Sequence, residues 1–146
     1  MKFLVVGKGH LGYYITRELN KFTVQTWHAE MDLLTVEELE RIAPDVVVNT
    51  AGKTDLKWCE ENPTETFRCN VIAPINLRRR VELASIKLNK DVKFVHISSG
   101  CVWDGPYDKN GSPFKPTSDV TPACLYSWTK AVCDSTMMHE TFNTTN

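Results

Sequence analysis

The spacing of apolar residues changes period several times along the chain, and each change marks an element. Lys2–Val6 carries the unbroken run Phe3-Leu4-Val5-Val6, the pattern of a strand buried on both faces. Leu11, Ile15 and Leu19 then recur four apart, which predicts a helix from about Leu11 to Asn20. Phe22 to Trp27 alternates and predicts a second strand. Asp32 to Ala43 places Leu33, Leu34, Val36, Leu39 and Ile42 among acids. Its Thr35-Val36-Glu37-Glu38 start predicts a capped helix that Pro44 ends. Asp45–Asn49 reads as another fully buried strand. A long helical region carries Leu77, Val81, Ala84 and Leu88 along one face, and Val92–Ser98 reads as a further buried strand. The Gly-, Pro-, Asp- and Ser-rich stretch from Gly100 to Pro122 predicts loop, and Tyr126 to about Phe142 a last helix. Alternating strands and helices predict an α/β fold with a parallel sheet covered on both faces.

Composition narrows the function. The chain has 146 residues, enough for one domain with little room for a second. Seventeen Lys and Arg against eighteen Asp and Glu give no electrostatic case for nucleic acid or an anionic membrane. No apolar run approaches the ~20 residues that span a bilayer, and the N-terminal one is too short for a signal-peptide core. The expected location is cytoplasmic. The five cysteines lack CxxC spacing, so reduced thiols are expected. The four histidines show no ligand spacing, so no metal site is expected, and His96 reads as a satisfied core residue. Arg78-Arg79-Arg80 reads as a solvated helix face with one residue packed. Trp58, Trp103 and Trp128 read as packing, Tyr13 and Tyr14 as core. Asn143-Thr144-Thr145 fits a glycosylation sequon that carries almost no weight without secretion.

The first chemical signal is Gly7-Lys8-Gly9-His10-Leu11-Gly12, a G-x-G-x-x-G lying between a predicted strand and a predicted helix. Gly7 permits the tight turn, Gly9 lets backbone approach a pyrophosphate, and Gly12 lets the helix pack close to the strand. The helix start at His10 and Leu11 offers N–H groups and a partial positive charge to phosphate. Gly7, Gly9, His10, Leu11 and Gly12 are therefore assigned to a dinucleotide. Glu30 is the nearest acid for an adenosine ribose, whereas Lys8 and His28 could meet a 2′-phosphate. NADP and NAD both stand, with a lean to NADP.

The second signal comes from two separate segments. Ser99 follows a predicted strand, and Tyr126-Ser127-Trp128-Thr129-Lys130 is a Y-x-x-x-K. Residues four apart share a helix face. An ammonium near a phenol stabilises phenolate and lowers the tyrosine pKa. Such a phenol can give a proton to a carbonyl oxygen as hydride reaches the carbon, and a serine hydroxyl can bind the same oxygen.

Together these motifs resemble the extended short-chain dehydrogenase/reductases. Within them the chain is similar to the dTDP-4-dehydrorhamnose reductases, and most similar to the bifunctional 3,5-epimerase/4-reductases of UDP-rhamnose synthesis. The likeness also runs through Pro44–Gly52, Trp58-Cys59-Glu60, Thr66, Asn70-Val71, Asn76-Leu77, Ser99–Trp103, Asp119 and Thr121-Pro122. The resemblance implies reduction of a nucleotide-linked 4-keto-6-deoxy sugar. Tyr126 would donate the proton, Lys130 would tune it and hold the nicotinamide ribose, and Ser99 would bind the keto oxygen. Ala51 and Gly52 would line the cofactor, and Asp32 would meet its adenine side. Cys101 occupies the position from which a thiol exchanges protons at sugar carbons 3 and 5; a small apolar residue at a strand exit is the equal alternative. Reductases without epimerase activity usually carry Thr-Asp-Tyr in place of Ser99-Gly100-Cys101, and the glycine turn is one residue shorter than the family form.

The implied fold is a Rossmann-type doubly wound parallel sheet, C-terminally truncated: residues 1–146 form the NAD(P)-binding domain and the substrate lobe is absent. A homodimer, or a partner supplying that lobe, is the matching expectation. Two alternatives to a catalyst stand beside this reading. One is a non-catalytic dinucleotide-binding or regulatory module. The other is an inactive fragment of such an enzyme.

Overall fold

The computed structural model describes residues 1–22, 25–29 and 34–139, with backbone alone for 25–29 and 139. It divides into two compact units. The first joins residues 1–52 to 72–97, and the second joins 53–71 to the residues from Ser98 onward.

The first unit is a parallel sheet with helices. Its strands are β1 (Lys2–Val6), β2 (Gln25–Ala29), β3 (Val46–Asn49) and β4 (Lys93–His96), in the order β2-β1-β3-β4. Lys2 pairs with Gln25, Phe3 with Val46 and Val46 with Lys93, all in parallel. The chain winds from β1 to one side and then returns to the other, so the strand order reverses at β1. Sheets of this kind bind ligands beyond the carboxyl ends of the strands at the reversal, here β1 and β3. The helices are α1 (His10–Leu19), α2 (Val36–Ile42) and, after the second unit's first segment, a long helix Ala73–Lys87.

The apolar periodicity forms this unit's core. Leu4, Val6, Leu34, Leu39, Ile42, Val47, Leu77, Val81 and Ala84 form one buried cluster, with Val36, Val92 and Phe94 packed on it. Burying each large aliphatic side chain contributes about 1.5–3 kcal/mol. Thr35 accepts a hydrogen bond from Glu38 N–H at 3.3 Å and so caps α2 as its sequence predicts. Ala43 ends α2 in the left-handed conformation, and Pro44 prevents continuation.

Some expectations fail here for identifiable reasons. β4 is not buried on both faces: Lys93 and Val95 are exposed, whereas Phe94 packs on the core. Side chains alternate across a strand, and here only one face meets the core. Tyr13 and Tyr14 are not core either. They are 60% and 49% exposed, with rings edge-on at 5.6 Å and Arg17 over Tyr14. Of α1, only Gly12 is fully buried. His96 is half-buried and hydrogen-bonded rather than enclosed.

The second unit has no sheet strand among its described residues. It comprises α3 (Leu56–Glu61), α4 (Pro63–Phe67), a π-helical turn beginning at Arg68, and, beyond β4, a 3-10 turn (Gly100–Val102), a loop and α6 (Leu125–His139). The helix of the first unit, Ala73–Lys87, is α5. The single helical region read from sequence before Leu88 is thus broken into α3, α4, the π turn and α5. Pro63 and Pro74 sit at two of the breaks, in first-turn positions where a missing N–H costs least. α6 packs against α3, α4 and the 3-10 turn. No helix among the described residues is long and apolar enough to cross a membrane.

Candidate active site

In the first unit the glycine turn closes against the loop after β3. Gly7 has φ +107°, in the region that favours glycine, and a Cβ there would lie 2.7 Å from Ala51 N. A Cβ on Gly12 would lie 2.0 Å from Gly7 O, so only hydrogen fits where α1 crosses the turn. At Gly9 a Cβ would meet nothing within 4 Å, which leaves open space above this residue. Thr50 locks the arrangement. Its N–H and its Oγ1 each donate to Val6 O at 2.8 Å.

Asn49, completely buried, extends this network. Its Oδ1 accepts from Ala51 N–H at 3.1 Å, which leaves Nδ2 to donate to His96 Nδ1 at 3.0 Å. Gly9 caps α1 without a side-chain bond, so the first-turn N–H groups of His10, Leu11 and Gly12 face the same opening. His10 and Leu11 are exposed, Ala51 is half-buried and Gly52 exposed. Asp32 and Glu30 lie outside the described residues, as do the side chain of His28 and the sequon. Lys8 is exposed beside the turn.

The second unit holds the other group. Ser99 lies three residues past β4 and caps the 3-10 turn, its Oγ accepting from Cys101 N–H at 3.2 Å. Cys101 is exposed on that turn. Tyr126 and Lys130 lie one helical turn apart on α6, 9% and 5% exposed. Burial pushes the Lys130 pKa below the ordinary lysine value, while Cys133 and Asp134 act in the opposite direction. Burial also pushes the Cys133 thiol up to about 11. Packing of the 3-10 turn on α6 brings the Ser99–Cys101 segment to the helix that carries Tyr126 and Lys130.

Three polar residues that sequence reading did not assign hold this group. Asn70, 1% exposed in the π turn, accepts from Lys53 N–H at 2.8 Å and donates to Lys53 O at 2.9 Å. Its Nδ2 also reaches Thr129 Oγ1 at 3.3 Å, and that hydroxyl donates to Tyr126 O at 2.7 Å. Glu60 Oε1 accepts from Leu125 N–H at 2.7 Å and so caps the start of α6. An asparagine inside an otherwise helical run was the available signal, because it favours caps and turns over helix interiors.

Among the described residues no cluster of three or more His, Cys, Asp or Glu side chains could hold a metal ion. The glycine turn in one unit leaves open space at Gly9, and in the other unit Tyr126 and Lys130 lie one turn apart on the helix against which the Ser99–Cys101 turn packs.

The chain's relatives carry the same combination of names. It is 27% identical over 132 residues to a dTDP-4-dehydrorhamnose reductase of Mycobacterium tuberculosis, covering 84% of this chain and 40% of that protein. It is 28% identical over 146 residues to a bifunctional dTDP-4-dehydrorhamnose 3,5-epimerase/reductase of Arabidopsis thaliana, covering 90% and 46%. Among solved structures, RMD from Pseudomonas aeruginosa complexed with NADPH superposes with a TM-score of 0.73 at 20% identity, covering 93% of this chain and 48% of that one. That likeness establishes the Rossmann-type fold. The chain thus spans between 40% and 48% of the length of these relatives. The family model for the RmlD substrate binding domain matches residues 1–144, and the chain belongs to that family.

Proposed function

We propose that this chain supplies the cofactor and proton-transfer machinery of a cytosolic short-chain dehydrogenase/reductase that reduces a nucleotide-linked 4-keto-6-deoxy sugar, with NADP or NAD as cofactor. The observation that carries the reading is the nearly buried Lys130 one turn from the nearly buried Tyr126. Lysine is rarely buried without a task or a partner.

The glycine turn fits a dinucleotide. Gly7 and Gly12 admit no side chain, while the space at Gly9 and the free N–H groups of α1 suit a pyrophosphate. Gly7, Gly9, His10, Leu11, Gly12, Ala51 and Gly52 would hold it, with Asp32 on the adenine side. Exposed Lys8 favours NADP through its 2′-phosphate, and the Pseudomonas aeruginosa structure contains NADPH. When bound, the cofactor supplies the hydride.

This chain's residues manage the proton. Tyr126 donates its phenolic proton to the oxygen of the keto group as that oxygen gains charge. Lys130, as ammonium, stabilises the resulting phenolate and holds the nicotinamide ribose. The Ser99 hydroxyl binds the same keto oxygen and orients the carbonyl. Cys101 exchanges protons at carbons 3 and 5 before reduction, since the 4-keto group acidifies both C–H bonds. The Arabidopsis relative named for both activities supports this step.

NADPH oxidation with dTDP- or UDP-linked 4-keto-6-deoxyglucose tests the proposal. Tyr126→Phe should lower turnover by about 10²–10⁴-fold with cofactor binding retained. Full turnover in that variant overturns the assignment. A second reading is a dinucleotide-binding module that has no turnover of its own. Tight NADPH binding without turnover of either sugar would select it.

A further inference from the structure

The polar contacts of α6 continue past Lys130. Ser98, next in sequence to Ser99, donates its Oγ hydrogen to Asp134 Oδ2. Asp134 lies four residues after Lys130, as Lys130 lies four after Tyr126, so the three groups follow one side of the helix. Asp134 is half-buried and Lys130 nearly buried, so their interaction is less screened than a surface pair.

We propose that Asp134 is the positioning residue of this centre: its carboxylate, held by Ser98, ties the Ser99–Cys101 segment to α6 and provides the counter-charge of Lys130. One group thereby serves two requirements of the reduction. The serine that binds the keto oxygen must sit at a fixed distance from the tyrosine helix. Lys130 must also keep its proton despite burial, because a neutral amine would not stabilise phenolate. Asp134 and Cys133 both act to raise the Lys130 pKa, but burial keeps the Cys133 thiol neutral near pH 7, so Asp134 is the one of these two that carries charge there. On the elements packed against α6, the buried Cys59 thiol, Glu60 and Glu61 of α3, Glu65 of α4 and Cys101 of the 3-10 turn are the other acidic groups. Glu60 is engaged with the helix start at Leu125, Glu65 pairs with Arg68, and Lys57 pairs with Glu61.

The role of Tyr126 rests on the proposed reduction, but the charge of Lys130 does not, so the test reads the lysine directly. Lysine side chains of the whole chain are labelled with ¹³C at Cε and titrated by NMR, with Lys130→Met identifying the resonance. Asp134→Asn should shift the Lys130 titration to lower pH, and Asp134→Glu should restore it in part. Ser98→Ala keeps the charge but removes the tie; it should speed hydrogen exchange at the Cys101 amide. An unchanged Lys130 titration in folded Asp134→Asn overturns the proposal. If Asp134→Asn does not fold, unchanged Cys101 exchange in Ser98→Ala overturns it instead. Absence of NADPH binding and turnover would defeat the reduction itself while leaving these two readouts intact.

Discussion

The two units are held together by different chemistry. In the first, the central cluster is aliphatic, and Asn49 is its one buried polar side chain among the described residues. In the second, Thr66, Asn70, Ser127, Thr129 and Lys130 are all buried, and Thr66, Asn70, Ser127 and Thr129 are hydrogen-bonded to backbone or side chain. The first unit gains stability from area removed from water and positions backbone. The other gains order from directional bonds and positions side chains. A pyrophosphate site requires N–H groups and space, which a sheet and a glycine turn supply. Proton transfer requires a phenol, an amine and hydroxyls at fixed places, which an apolar core cannot hold.

That contrast is broken most severely at Gly12. Its Cβ position lies 2.0 Å from a backbone oxygen, and backbone cannot rotate away as a flexible side chain can. Gly12→Ala should destabilise the first unit by about 3 kcal/mol or more, at the upper end of overpacking costs. Chemical denaturation with the midpoint read by fluorescence measures it. Gly9→Ala is the matched control, since nothing lies within 4 Å of its Cβ. It should leave the midpoint unchanged and weaken NADPH binding by about tenfold or more, or ~1.4 kcal/mol. Equal binding by parent and Gly9→Ala would show that the open space is not the pyrophosphate site.

In the second unit the corresponding change is the loss of bonds rather than an excess of atoms. Asn70→Ala leaves Lys53 N–H and C=O without their partner and removes the contact with Thr129. A cost of about 2–3 kcal/mol is expected from the unpaired groups. Asn70→Asp keeps the acceptor for Lys53 N–H but loses the donor, so it should fall between parent and alanine. Hydrogen exchange at the Lys53 amide reports the same bond independently of global stability. Equal stability of all three proteins would show that water replaces the asparagine without loss.

The same division explains how much was legible in the residues. The first unit's strands follow from runs such as Val46-Val47-Val48, and its turn from a glycine spacing in which sterics require Gly7 and Gly12. Both are local signals. Asp134 and Ser98 are 36 residues apart, and Asn70 and Thr129 are 59 apart. No period or spacing links such pairs, so Tyr126 and Lys130 were readable as an i, i+4 pair while the groups that hold them were not. The tyrosines of α1 show the opposite failure. Tyr13 and Tyr14 look apolar by composition, yet α1 turns them to solvent, because the residue it must bury closely is Gly12. Likewise Val95 belongs to an apolar strand yet is 42% exposed. Apolar character specifies that a side chain is able to be buried, and neighbours in space decide whether it is.

The smallest expected effect separates the units by pH. In the first unit, the Lys90 ammonium at 2.7 Å and the Lys2 N–H at 2.5 Å hold the Asp45 carboxyl below its ordinary value. Its folded pKa is thus lower than its unfolded one. The pair stabilises above the usual aspartate value, about 3.9, and that contribution is lost as pH falls through the folded value. Asp45→Asn should flatten the acid limb of a Tm-against-pH curve and leave the neutral region little changed. In the second unit the sign is reversed. Cys133 has a folded pKa of about 11 against an ordinary value of 9.0, because burial disfavours thiolate. Stability linked to the neutral thiol is fully present below the ordinary value and is lost as pH rises towards 11. Cys133→Ala should therefore flatten the alkaline limb alone. A variant that flattened both limbs, or neither, would show that the titrating groups do not divide between the units in this way. The thiols give an independent check: near pH 8 exposed Cys101 should alkylate with iodoacetamide well before completely buried Cys133, because only a thiolate that solvent can reach reacts.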